Sequence, residues 1–282
     1  MNETVDDFEV VSDIELGRRR YRRRQTIRSV LISAVSTVVF AVVIWLVLEN
    51  SPGWQVTRET FFSAALPEVA VGLWLNVQIL FFAVIGVAVL AVILAVLRSL
   101  RGPVFFPLRF FAAAYTDLFR GMPFLIVLYL IGFGIPALNP TTRIPAALLG
   151  TVALVLTYSS YVAEVLRAGL EAVHPSQRFA ARSLGLSHGQ TLRYVVIPQA
   201  IRKVTPALMN DFISMQKDVG LISVLGAVDA IRAAQIQQAT TYNFTSYVVA
   251  GLLFVAFSWP FIRLSDWYTA RLREREQTGG TV

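Results

Sequence analysis

Strongly polar side chains are scarce in the apolar stretches of this sequence, so the few that occur are the first candidates for chemistry. Glu164 lies in a run rich in Leu, Val and Ala, with Thr157, Ser160 and Tyr161 at i−7, i−4 and i−3. On a helix that spacing draws one polar stripe. Asn210, Ser214 and Lys217 repeat the pattern at i, i+4 and i+7, with Asp211 and Asp218 beside them. Asn76 and Gln78 are the only strongly polar side chains between Val69 and Leu97. Such groups, on helices long enough to cross a bilayer, face a cavity, a solute pathway or another helix. For Asn76, Gln78, Thr157 and Ser160 two readings stand: contact with a passing solute, or interhelical hydrogen bonds worth about 0.6 kcal/mol on average. Glu164 needs a cation or water. Arg167, three residues on, is one partner; a cationic group on a solute is another.

Enzymatic chemistry does not assemble. The only lysines are Lys203 and Lys217, and neither ends a G-x-x-x-x-G-K-[ST] phosphate loop. The absence of cysteine removes thiol nucleophiles, disulfides and zinc–thiolate sites. His174 and His188 share one hydrophilic stretch and read as loop residues rather than metal ligands. No catalytic residue, metal or cofactor is expected on this chain.

The elements that hold the polar groups are apolar runs. Ser29–Leu48, Val69–Leu97, Gly121–Thr142, Ile144–Ala163 and Ala233–Ile262 contain no charged residue. A helix crosses the hydrocarbon core with about 20 such residues. The expected fold is an all-α integral membrane protein with six spans near 29–48, 69–97, 121–137, 144–167, 201–219 and 245–263. Of 25 Lys and Arg residues, only Arg58, Arg143, Lys217 and Arg232 then fall on or towards the outer side. This positive-inside bias puts both termini in the cytoplasm. It also accounts for the net charge of +7 without nucleic acid as a partner. The first apolar run exceeds the roughly 7–15 residues of a signal-peptide core and has no small-residue cleavage site after it. The preceding tail, 1–28, is acidic and then Arg-rich, as suits a solvated segment anchored at anionic headgroups. Residues 103–119, interrupted by Pro107, Arg109 and Asp117, read as an amphipathic segment near the cytoplasmic surface, leading into the third span. The fifth span carries Asp211, which only a helix buried in protein or lining a cavity tolerates.

Between the fourth and fifth spans lies a polar stretch, 171–198, too long for a simple connector. Ser176 is expected to cap a helix over 177–184, and Gly185 to stop it. Ser187 with Gln190 has the form of a capping box that starts a second helix. Pro198 is expected to interrupt the chain before the fifth span. Phe179, Leu184, Leu186, Leu192 and Val195 could form one buried or partner-facing side.

This stretch resembles the EAA loop of permeases from binding-protein-dependent ABC importers, whose pattern is Glu-Ala-Ala, three residues, Gly, nine residues, Ile, any residue, Leu-Pro. Ala180 and Ala181 take the alanines, Gly185 the glycine and Val195 the isoleucine; Ile197-Pro198 ends the pattern, and Phe179 stands at the glutamate position. Residues 115–123 (YTDLFRGMP) and 161–169 (YVAEVLRAG) resemble segments of the polar amino-acid branch, as do Gln199-Ala200, Asn210 and Lys217-Asp218; Val219-Gly220-Leu221 replaces the more usual Thr-Ser-Leu. The likeness covers roughly 68–275.

It implies a five-helix type I importer permease core over 68–276, with an additional N-terminal helix and outer loop at 29–67 and a short cytoplasmic tail at 277–282. It further implies a multi-pass protein of the cytoplasmic (inner) membrane that carries a polar amino acid. Loop 171–198 would be the coupling helix, seated in a cytoplasmic ATPase dimer that binds ATP and Mg. The other implied partners are a second permease subunit, the same or different, and an extracytoplasmic substrate-binding protein. Two other classes stay open from the residues alone. Glu164 and Asp211 could serve an ion-coupled secondary transporter or channel working without an ATPase, and a membrane scaffold would need neither.

Overall fold

The computed structural model describes residues 34–47, 59–100, 102–141 and 143–279, and falls into two units, Met1–Arg58 and Glu59–Val282. Within the first, α1 (Ala34–Val47) is apolar and its side chains are exposed throughout. The ends of the expected first span, 29–33 and Leu48, lie outside the described residues, as does the 1–28 tail.

The described residues of the second unit are helical apart from their connections: α2 (Glu59–Ser99), α3 (Phe106–Gly121), α4 (Phe124–Leu138), α5 (Ala146–Glu171), α6 (Pro175–Ser183), α7 (His188–Leu225), α8 (Ala230–Thr241) and α9 (Thr245–Gly279). Among the described residues, three helical segments are long and apolar enough to cross a membrane alone: Phe62–Ser99, Ala146–Glu171 and Thr245–Leu272. The count reaches five if α3 with α4, bent by 105°, and α7 with α8, bent by 50°, each make one span. The expected third and fifth spans are therefore pieces of bent pairs rather than straight helices.

The α3–α4 bend comes from local chemistry. Pro123 lacks a donor and disfavours helical geometry at Met122, whose backbone is extended (φ −97°, ψ 135°). The expected break between residues 103–119 and the third span is thus a real corner.

The core is built around α2 and α5. Ile79, Leu80, Ala83 and Val87 of α2 meet Ala153, Leu154 and Tyr158 of α5, and Met215, Val219 and Ile222 of α7 close the cluster. Small residues set the closest approaches. A Cβ at Gly72 would come within 2.5 Å of the Ala230 amide nitrogen, so only glycine lets α2 reach the start of α8. The outward side chains of α2, including Val71, Trp74, Phe81, Phe82 and Val89, are exposed, as lipid-facing positions should be.

Candidate coupling loop and pathway residues

The loop between α5 and α7 is a compact, internally bonded unit. α6 begins at Pro175, which suits a first-turn position because its missing donor would be unpaired there anyway. The cap is His174, not Ser176 as expected: the Ser176 amide donates to His174 Nδ1 at 3.2 Å. With Pro175 occupying the first turn, the cap falls one residue before it. At the other end, Gly185 adopts φ +85°. The Leu186 amide donates to the Ala181 carbonyl and the Gly185 amide to that of Arg182, at 3.2 and 3.0 Å. Together these bonds make a Schellman stop, which needs a left-handed residue at Gly185.

The capping box at Ser187 is reciprocal. Gln190 N donates to Ser187 Oγ at 3.3 Å, and Ser187 N to Gln190 Oε1 at 2.8 Å. Pro198 does not interrupt the chain, contrary to expectation. A wider π-turn over Leu192–Val196, in which Ile197 N donates to the Leu192 carbonyl, carries the helix through it. The wider turn accommodates a proline that has no donor for the preceding carbonyls. The loop is tied down from both sides: Arg178 Nη2 donates to the Leu170 carbonyl at 2.6 Å and Lys203 Nζ to that of Ala172 at 2.7 Å. Val173, Val196 and Ala200 are buried beneath it, and Ala181 is buried on α6.

The expected apolar side divides. Leu186, Leu192 and Val195 are half-buried, whereas Phe179 and Leu184 are 70% and 83% exposed. Beside Phe179 lies a cavity of about 420 Å³, walled also by Arg178, Arg182, His188 and Leu192.

Glu164 sits in a cluster of arginines. Its carboxylate accepts from Arg98 Nη1 at 2.6 Å and from Arg167 Nε at 3.2 Å and Nη2 at 2.5 Å. Arg167 also reaches Glu171 at 2.6 Å, while Arg120 stands 4.0 Å from Glu164. The local Arg167 partner was legible from spacing. Arg98, at the end of α2, was not, because nothing in the sequence brings residue 98 beside residue 164.

The other polar residues part into two groups. Asn76, Thr157 and Ser160 are enclosed within the subunit. Asn76 Nδ2 donates to Asp229 Oδ2 at 2.9 Å and its Oδ1 accepts from Ala230 N at 3.1 Å. Ser160 Oγ donates to the Thr157 carbonyl at 2.6 Å, while the buried Thr157 hydroxyl has no partner among the described residues. By contrast, Asn210, Ser214 and Lys217 are exposed along one side of α7. Tyr161 is half-buried at the edge of α5, its hydroxyl 3.4 Å from the Arg120 carbonyl. Sequence reasoning missed Asp229, which is fully buried, caps α8 and anchors it to α2. Its position ahead of a polar helix was the available signal. It also missed the Tyr158–Asp218 bond of 2.8 Å.

Residues 102–274 match the family described as binding-protein-dependent transport system inner membrane component. The arginine transport system permease protein ArtQ of Bacillus subtilis (strain 168) is 33% identical over 198 residues, covering 68% of this chain and 88% of the relative. The probable glutamine ABC transporter permease protein GlnM of the same organism is 33% identical over 179 residues, covering 63% and 81%. A solved amino acid ABC transporter, its crystal structure described as with histidines, aligns with TM-score 0.66 and 36% identity over 73% of this chain and 94% of that one. The MetNI methionine ABC transporter, in inward-facing form, shares the fold at 20% identity and TM-score 0.59. The bent helical unit with its capped loop thus has a family, and this chain belongs to the binding-protein-dependent inner membrane components, the permease subunits of ABC transporters.

Proposed function

We propose that this chain is one half of a permease that moves a polar amino acid inward across the cytoplasmic membrane. A separate ATPase dimer, which binds the ATP and Mg, drives it, and an extracytoplasmic binding protein supplies the substrate. The observation that carries this reading is the loop 171–198. Its turns are locked by their own hydrogen bonds, yet Phe179 and Leu184 stay mostly exposed on it. The chain gains little by exposing two large apolar groups on a rigid support; a protein partner gains a docking knob. Residues 68–276 act as the permease domain, and 1–28 and 277–282 lie in the cytoplasm.

The amino-acid substrate is supported by the arginine and glutamine permeases among the relatives. For the route, the exposed side of α7 offers Asn210, Ser214 and Lys217, whose side chains have no hydrogen-bond or ion-pair partner among the described residues, with Tyr161 and Arg120 as further polar groups nearby on the pathway side. A second permease subunit, the same or different, faces them. Asn76, Thr157 and Ser160 serve helix packing. Glu164 has its charge met by Arg98 and Arg167, and acts as the pin of the inner end rather than as a receptor for a cationic solute.

Copurification of the tagged chain, identification of its ATPase and binding protein, and uptake of that protein's ligand into proteoliposomes test the proposal. ATP-dependent uptake is expected. Uptake that runs on an ion gradient without an ATPase would overturn it.

A further inference from the structure

Away from the loop cavity and the polar side of α7, a smaller cavity of about 150 Å³ lies between α7 and α9, lined by Arg202, Trp267, Tyr268, Arg271 and Leu272. It has room for about five water-sized groups at about 30 Å³ each. Arg271 stacks over Trp267, its guanidinium carbon 4.9 Å from the ring centroid. Arg202 enters from the other helix. Among the described residues neither arginine has a carboxylate partner, and no acid lines the cavity. Asp266, nearby on α9, is 3.7 Å from Arg263. Two arginines lining one largely apolar cavity, with no acid among its lining residues, favour an anion from outside the chain.

The depth of the cavity limits what that anion can be. The apolar segment of α9, Thr245–Leu272, has 28 residues. At 1.5 Å per residue it is about 42 Å long, some 12 Å more than a hydrocarbon core of about 30 Å. Residues 267–272 are the last of that segment and so stand at headgroup level. The leaflet follows from Arg202, whose neighbour Lys203 bonds to the loop carbonyl of Ala172. The cavity is therefore on the loop side, the Arg-rich cytoplasmic face. Trp and Tyr are the side chains that favour this interface, and paired arginines are what a phosphate there would meet.

We propose that Arg202 and Arg271, with Trp267 and Tyr268 as walls, bind the phosphate of an anionic phospholipid of the inner leaflet. The acyl chains would run along the apolar flanks of α7 and α9. This site depends only on the chain spanning a membrane, not on the transported solute.

The test uses the purified permease–ATPase complex in nanodiscs of phosphatidylcholine with a minor fraction of phosphatidylglycerol, read by native mass spectrometry of retained lipid. Each arginine is expected to contribute about fivefold to retention of phosphatidylglycerol, so Arg202→Gln with Arg271→Gln should lose about 25-fold. Retained phosphatidylcholine should not change. The charge-preserving pair Arg202→Lys with Arg271→Lys should keep most of the binding, which separates charge from folding. If the glutamine pair fails to assemble, Arg271→Gln alone, at an exposed position, should still show the fivefold loss. Unchanged phosphatidylglycerol retention in the glutamine variants would overturn the site. Full displacement of the lipid by millimolar inorganic phosphate would overturn the lipid assignment.

Discussion

Replacing Glu164 with Gln removes a carboxylate that two arginines share. Side-chain exposure is 20% for Glu164, 17% for Arg98 and 33% for Arg167. Deleting one partner of a fully buried pair costs about 3–5 kcal/mol. Partial exposure lets water recover part of that, and Arg167 keeps Glu171, so the expected cost is about 2 kcal/mol. Arg98→Gln alone leaves Glu164 held by Arg167 and should cost about 1 kcal/mol. The informative variant carries both changes, because it removes the carboxylate together with the guanidinium that has no second acid, and leaves Arg167–Glu171 intact. It should be no less stable than Glu164→Gln, a coupling of at least about 1 kcal/mol. Glu164→Gln with Arg167→Gln is less clean, since it strands Arg98 and Glu171 separately. Thermal midpoints of the detergent-purified complex give the stabilities, with a loss of about 4–8 °C expected for Glu164→Gln. ATP-driven uptake in proteoliposomes gives function, and the Glu164/Arg98 double variant should recover it. Strictly additive losses would refute the shared pin. A well-assembled double variant that cannot transport would refute the structural assignment of Glu164 and return it to the solute pathway.

Gly185→Pro cannot reach φ +85° and removes the amide bonded to Arg182, while Ala181→Asp buries an unpaired carboxylate. Both variants should insert at normal levels yet lose at least about tenfold of ATP-driven uptake, since a change of only about 1.4 kcal/mol at the contact is tenfold; normal uptake by both would remove the loop from the mechanism. Phe179→Ser should leave the thermal midpoint of the permease within error, because the ring is 70% exposed. It should weaken ATPase association about 30-fold, as loss of a hot spot worth about 2 kcal/mol does, measured by equilibrium binding in detergent. Asn76→Ala leaves the fully buried Asp229 short of a donor and the Ala230 amide short of an acceptor, so the complex should lose about 2–3 kcal/mol in a thermal or denaturant melt without change in apparent substrate affinity.

What could be read from the sequence was what depends on neighbours in the chain. Gly185, the Ser187–Gln190 box and the Glu164–Arg167 pair each involve residues three or four apart or a single backbone angle, and each appears in the structure. Two local readings moved by small amounts for local reasons: Pro175 shifted the cap to His174, and a π-turn carried the helix past Pro198. The α3–α4 corner was legible in the change at Pro123 from the amphipathic segment 103–119 to an apolar run, whereas the pairing of α7 with α8 across a 50° bend was not, because α8 is polar and too short to register as a span by hydropathy.

The polar stripes show the deeper limit. Helical periodicity says which residues share a face; it does not say what the face meets. The α5 stripe turns Thr157 and Ser160 into the subunit, with zero exposure at Ser160, and brings Glu164 to Arg98 from a helix 66 residues earlier. The equally regular α7 stripe of Asn210, Ser214 and Lys217 is exposed, and its side chains are unpaired among the described residues. Polar side chains without partners, on a membrane helix, are costly against lipid. They are tolerable only against water, a solute or another protein subunit, so this exposed polar face is where the proposed second permease subunit and the proposed solute path are to be sought.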